Sequence, residues 1–206
     1  MSDITTIFWD LGGVVLTNAW DREQRVKVLN EFGITDPAML NEFGDRHREV
    51  AALFETGQCS LDEYLDMTVF GLTNGFTKEK FIQKMFEQSK AIDGMSVLQS
   101  IAASGKYFLA TLNNESKELN EHRIKQFKLD NYFNAFFSSC YLNRMKPDPD
   151  IYRTALSITQ NAPAECVFID DRAQNVQAAN RVGIHAIQYQ NPGQLTQALA
   201  SLGVKL

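Results

Sequence analysis

Asp10, Lys146, the Asp170-Asp171 pair and the amides of Asn113 and Asn114 fall in four short stretches spread along the chain. These are Phe8-Trp9-Asp10-Leu11-Gly12-Gly13-Val14, Leu112-Asn113-Asn114, Lys146-Pro147-Asp148-Pro149 and Val167-Phe168-Ile169-Asp170-Asp171. Each alone is a weak signal, because an Asp after an apolar run is common. In this order and together they offer a carboxylate nucleophile, a cation to hold it ionised, amide donors for an anion and oxygen ligands for a hard metal. That set suits phosphoryl transfer through Asp10.

The elements that must position these groups are legible around them. Asp10 ends a strand-like run, and in an open α/β sheet ligands bind at the carboxyl ends of strands. Gly12 and Gly13 let the chain turn sharply there and approach a ligand closely. Asp170 and Asp171 follow another apolar run, and adjacent acids repel unless a cation or hydrogen bonds compensate. With Asp10 they form an all-oxygen cluster, which suits Mg²⁺ and not zinc. Lys146 can neutralise a phosphoryl group and the nucleophile beside it. Asn113 and Asn114 end a strand just before a helix opens, where amides and helix N–H groups make an anion site. Against each stands a plain structural reading: a turn-starting Asp, a solvated acidic loop, a surface Lys, an Asn cap.

Five apolar, β-branched or aromatic runs read as strands: Thr5 to Trp9, Tyr107 to Leu112, Ala135 to Cys140, Cys166 to Ile169 and His185 to Tyr189. Most lack strict alternation, as buried parallel strands do. Helical patterns at Ser96 to Ala103, Ser116 to Phe127, Asp150 to Thr159 and Ala173 to Val182 separate them, and a last helix follows Pro192. The alternation predicts an α/β, Rossmann-like parallel sheet of order 5-4-1-2-3. Between the first two strands the sequence shows only amphipathic helical stretches, near residues 19–32, 37–55, 61–70 and 78–90. Ser60 and Glu63 form a capping box for the third, and Thr77 caps the fourth. This predicts an inserted all-helical cap over residues 17–90, with residues 1–16 and 91–206 as the core.

The 206 residues, 44% hydrophobic and 22% charged, are ordinary for a soluble globule. A net charge of −5 argues against nucleic acid or an anionic membrane surface as partner. Cys59, Cys140 and Cys166 have no metal-binding spacing and read as small core residues. No signal peptide or membrane span is evident, so a cytoplasmic location is expected. His47 reads as part of a solvated helix face. Trp20 and Arg22 are placed to be specificity residues.

With its four motifs in this order, the chain resembles the haloacid dehalogenase-like superfamily, whose phosphatases share a Rossmann-like sheet. The resemblance covers nearly the whole chain, and the insert is similar to that superfamily's C1 cap. It implies Asp10 as the nucleophile, Lys146 as the motif III lysine, and Asn113 and Asn114 as phosphate-binding amides with Gly12. It also implies a Mg²⁺ held by Asp10, the Gly12 carbonyl and Asp171, with Asp170 in support. The substrate would be a small phosphorylated metabolite. The chain is also similar to bacterial α-D-glucose-1-phosphate phosphatases, which carry Gly two residues after the nucleophile and a segment like Glu55-Thr56-Gly57-Gln58-Cys59-Ser60-Leu61-Asp62-Glu63.

Two departures matter. Gly12 stands where most of these phosphatases have the acid that protonates the leaving oxygen, a transfer typically contributing ~10²–10⁴-fold. Asn113 stands where they have Ser or Thr. Two rivals to a phosphatase follow: a non-catalytic sugar-phosphate binder, and a C–halogen or C–P bond hydrolase.

Overall fold

The computed structural model describes residues 3–73 and 75–205. Strands β1 (Thr6–Trp9), β2 (Phe108–Asn113), β3 (Ala135–Ser138), β4 (Cys166–Asp170) and β5 (His185–Gln188) form one parallel sheet in the order β3-β2-β1-β4-β5. This is the order expected from the sequence. Trp9 pairs with Thr111 and with Ile169, and the ladder runs one step further, Asp10 N donating to the Ile169 carbonyl at 2.8 Å. The carboxyl ends of β1 and β4 are therefore level, and Asp10 and Asp170 emerge side by side.

Both faces of the sheet are covered. Helices α5 (Gly94–Ser104) and α10 (Pro192–Ser201) pack Leu98, Ile101, Leu195 and Leu199 on Ile7, Trp9 and Ile169. Helices α8 (Pro149–Thr159) and α9 (Ala173–Val182) pack Ile151, Tyr152 and Ala179 on Phe8, Ala110 and Phe168. A strand buried on both sides has no polar face, which is why these runs do not alternate.

Within residues 17–90 the described residues form helices α1 (Arg22–Glu31), α2 (Pro37–Glu55), α3 (Leu61–Thr68) and α4 (Lys78–Phe86), and no strand. Ser60 and Glu63 cap α3 reciprocally, and the Thr77 hydroxyl accepts from Lys80 N at α4. The chain leaves and rejoins the sheet side by side: Thr17 N donates to the Lys90 carbonyl at 2.8 Å, and Lys90 N to Thr17 Oγ1 at 3.0 Å. The four helices enclose a hydrophobic cluster of their own around Phe43, Phe54, Tyr64, Leu65, Phe81 and Met85, which also takes in Leu119 of helix α6 (Lys117–Gln126).

Two local expectations need correction. His47 is not on a solvated face. It is 9% exposed, its ring lies between Phe43 and Tyr64, and Nδ1 sits 2.9 Å from the Tyr64 hydroxyl. It follows Phe43 by four residues, so both share the buried face of α2. The third strand stops at Ser138, and Cys140 lies in a short helix α7 (Ser139–Leu142). All three cysteines are free, Cys140 and Cys166 buried and Cys59 partly so. No helix among the described residues is long and apolar enough to cross a membrane.

Candidate active site

A cavity of about 490 Å³ opens at the carboxyl edge of the sheet. Asp10, Gly12, Asn114 and Lys146 line it from the sheet side, and Trp20, Arg22, Arg25 and Glu55 from the helical insert. Lys146 is 4% exposed and places Nζ 3.0 Å from Asp10 Oδ1 and 2.6 Å from Asp170 Oδ2. Its backbone is fixed by Asn114: Lys146 N donates to Asn114 Oδ1 at 2.8 Å, and Asn114 Nδ2 donates to the Lys146 carbonyl at 2.9 Å. The amide that lines the cavity thus also aims the lysine.

One oxygen from each of Asp10, Asp170 and Asp171 lies within 4.8 Å of the other two. The two members of the acidic pair are differently engaged. Asp170, fully buried, accepts from Lys146 Nζ, from Arg172 N at 2.8 Å, and from Asn175 Nδ2 at 3.0 Å on each oxygen. Asp171 Oδ1 is buried with no hydrogen-bond partner among the described residues. A buried acceptor left unpaired costs free energy unless something else meets it. Hard oxygen donors, three carboxylates against one lysine, and one orphaned oxygen together fit a divalent cation such as Mg²⁺.

Asp10 Oδ1 accepts from Leu11 N at 2.8 Å as well as facing Lys146. Its pKa is raised to about 7, by burial first; Lys146 pulls it down and Asp170 pushes it up. Asp171 is also raised, by burial and then by Asp170. Glu55 is raised to about 7, by burial and then Glu115, against Arg172, Arg25 and Lys146. Carboxyls whose folded pKa exceeds the unfolded value stabilise the fold below the unfolded pKa, and that stability is lost as pH rises through the folded value. Metal-free protein should therefore melt at lower temperature at pH 8 than at pH 5, and Glu55→Gln should flatten the trend. A calorimetric pH series reads this directly, and an upward slope would contradict the assignment.

Of the candidate site residues, Asp10, Gly12, Trp20, Arg22, Asn114 and Lys146 line this cavity and Asp170 and Asp171 lie beside Asp10, whereas Asn113 turns away from it. Asn113 is 1% exposed, donates to Asn120 Oδ1 at 3.1 Å and accepts from Ser138 Oγ at 2.8 Å. As the last residue of β2 it keeps the strand's alternation and turns toward α6, so Asn114, the first residue past the strand, reaches the cavity instead. Sequence reasoning missed Glu55, Asn175 and Arg123. Arg123, 2% exposed, ties α6 to both chain crossings, donating to Ser89 Oγ at 3.1 Å and to the Thr17 carbonyl, and it pairs with Glu115 at 2.9 Å. Asn175 carried a readable signal, since it lies five residues past Asp170 in the first turn of α9. Glu55 opens the segment Glu55 to Glu63 that the resemblance had marked, although no role was read for it, and Arg123 carried no signal.

Asp10, the buried Lys146 and the Asp170-Asp171 pair thus meet at one edge of the sheet, at the carboxyl ends of β1 and β4. Residues 4–183 match the haloacid dehalogenase-like hydrolase family, and the chain belongs to it. It is 29% identical over 161 residues to flavin mononucleotide hydrolase 1 of Arabidopsis thaliana, covering 78% of this chain and 65% of that one. It is 25% identical to the phosphoglycolate phosphatase of Thiobacillus denitrificans, covering 87% and 80%. It is 27% identical to (S)-2-haloacid dehalogenase 4A of Burkholderia cepacia, of which it spans 50%. The chain thus spans about half to two thirds of the first and last of these relatives. Among solved structures, a haloacid dehalogenase family enzyme from Bacteroides thetaiotaomicron superposes with a TM-score of 0.79 at 19% identity, covering 93% of this chain and 96% of that one. The same enzyme in complex with magnesium and inorganic phosphate superposes with a TM-score of 0.77 at 20% identity, covering 92% and 96%.

Proposed function

We propose that the protein is a Mg²⁺-dependent hydrolase of a small, sugar-phosphate-like monoester, acting through a phosphorylated Asp10. The observation that carries this is the meeting of the Asp10, Asp170 and Asp171 oxygens within 4.8 Å, beside a buried lysine, on the floor of a polar cavity. Family relatives that hydrolyse or dephosphorylate phosphate esters support the reaction class. The helical insert over residues 17–90 serves as a cap that supplies the substrate-facing residues Trp20, Arg22 and Arg25.

Asp10 presents a carboxylate oxygen to phosphorus, and Lys146 holds that carboxylate ionised and neutralises charge on the phosphoryl oxygens. Asp10, the Gly12 carbonyl and Asp171 would hold Mg²⁺, which supplies positive charge to the transferring group. Asp170, its lone pairs already met, positions Lys146. Asn114 retains a second amide hydrogen for a phosphoryl oxygen. Water then attacks phosphorus and releases Asp10. Dehalogenation needs no divalent cation, so the three-oxygen cluster and the orphaned Asp171 oxygen weigh against that alternative.

A panel of phosphate monoesters, assayed with Mg²⁺ and with chelator, tests the proposal. Turnover should require Mg²⁺ and fall at least about a thousandfold in Asp10→Asn, as for loss of a nucleophile. Turnover that survives the substitution or the chelator would overturn it.

A further inference from the structure

Phosphoryl transfer to Asp10 leaves an alkoxide that needs a proton, and Gly12 has none to give. Resting on the function proposed above, the structure narrows the donor by elimination among the cavity's carboxyls. Asp10 is the nucleophile. Asp21 caps α1, accepting from Glu23 N at 2.9 Å and Gln24 N at 3.2 Å. Glu115 is tied to Arg123 at 2.9 Å and to Ser116 N at 3.0 Å. Glu55 lines the same cavity, and its carboxyl receives no hydrogen bond from the described residues. We propose that Glu55 is the general acid and base of the reaction, reaching from the helical insert to the oxygen that a side chain at position 12 would otherwise serve.

Its backbone is fastened to the core, although it belongs to the insert. Glu55 is the last residue of α2, and its carbonyl accepts from Ser139 Oγ of the core at 2.6 Å. Asn143 Nδ2 donates to the next carbonyl, that of Thr56, at 2.8 Å. Gly57 follows at φ +71°, packed so closely that a Cβ there would lie 2.5 Å from the Cys140 carbonyl oxygen. Three consecutive residues are thus fastened to α7 and the loop after it, so this end of the insert stays with the core. Asn18 also lines the cavity, its Oδ1 standing 2.5 Å from where a Cβ on residue 12 would sit. An amide cannot release a proton, so Asn18 can only orient.

The charged groups acting on Glu55 are Glu115, Arg172, Arg25 and Lys146. Burial and Glu115 prevail over the three cations and set its pKa at about 7, close to the optimum for proton transfer at neutral pH. In the first step the Asp10–phosphorus bond forms, the phosphorus–oxygen bond to the leaving group breaks, and the Glu55 proton passes to that oxygen, releasing an alcohol. In the second step the Glu55 carboxylate takes a proton from water as the water oxygen bonds to phosphorus. Phosphate leaves, Asp10 is free and Glu55 is again protonated.

The test compares kcat/KM for p-nitrophenyl phosphate, whose leaving group needs no proton, with that for glycerol phosphate, with Mg²⁺ and across neutral pH. Glu55→Gln should lower glycerol phosphate turnover by ~10²–10⁴-fold and p-nitrophenyl phosphate turnover by no more than about tenfold. It should also remove the fall in glycerol phosphate turnover above about pH 7. Gly12→Asp added to Glu55→Gln should restore glycerol phosphate selectively, since residue 12 is outside the left-handed region and only the Asn18 side chain must move. Equal losses for the two esters, or none, would overturn the assignment, as would a native enzyme that cleaves only the aryl ester. Aryl turnover absent from the native protein, or persisting in Asp10→Asn, would instead overturn phosphoryl transfer through Asp10 and this inference with it.

Discussion

Lys146→Met is expected to abolish measurable turnover and to destabilise the protein at neutral pH by ~3–5 kcal/mol, the usual cost of removing one partner from a buried ion pair. The Lys146 side chain is 1% exposed and is the cation that touches both Asp10 and Asp170. Without it two buried carboxylates face each other with no compensating charge. Asp10, already raised to about 7, loses its main downward influence and takes up a proton, and a protonated carboxyl is not a nucleophile. Because protonation relieves part of the cost, the destabilisation should be larger at pH 8 than at pH 5. Denaturant unfolding at the two pH values measures it. An equal cost at both, with activity retained, would show that Lys146 does not hold Asp10 ionised.

Gly13→Ala is expected to be the most damaging single-methyl change at the site. Gly13 sits at φ +75°, and a Cβ there would fall 2.4 Å from Asp171 Oδ2 and 2.6 Å from Cγ. Alanine must both tolerate a left-handed backbone, at about 1–3 kcal/mol, and push aside the carboxylate with the orphaned oxygen. The Mg²⁺ concentration required for half-maximal activity should rise at least about tenfold, the usual consequence of turning a metal ligand out of its proper orientation. Gly12→Ala makes the contrast. Its Cβ meets only the end of the Asn18 side chain, so the shift in Mg²⁺ requirement should be smaller. Matching Mg²⁺ titrations for the two variants would contradict the placement of Asp171 in the cation site.

What the sequence disclosed and what it withheld divide along a physical line. Signals confined to a few neighbouring residues were legible. The Ser60–Glu63 box set the start of α3, and strands buried on both faces showed as apolar runs at β1 and β4. Asp10 and the Asp170-Asp171 pair were legible because each ends such a strand, and parallel strands in one sheet bring like ends together. Groups placed by packing between distant segments were not legible. Glu55 reaches the cavity because α2 ends against α7, more than eighty residues away in the chain. Arg123 is buried because two chain crossings close around it. Asn113 and Asn114 differ by one residue, and the choice between them turned on where β2 stops, which composition does not mark. His47 looked polar enough for solvent, but the phase of α2 set by Phe43 put it inside.

The central claim is that phosphorus becomes bonded to Asp10 during turnover. Acid quenching during turnover of an aryl phosphate with Mg²⁺, followed by peptide mapping by mass spectrometry, tests it most directly. Phosphate should be found on the peptide carrying Asp10 and be absent from Asp10→Asn. Phosphate on another residue, or full turnover with Asp10 unmodified in every quenched sample, would contradict the account.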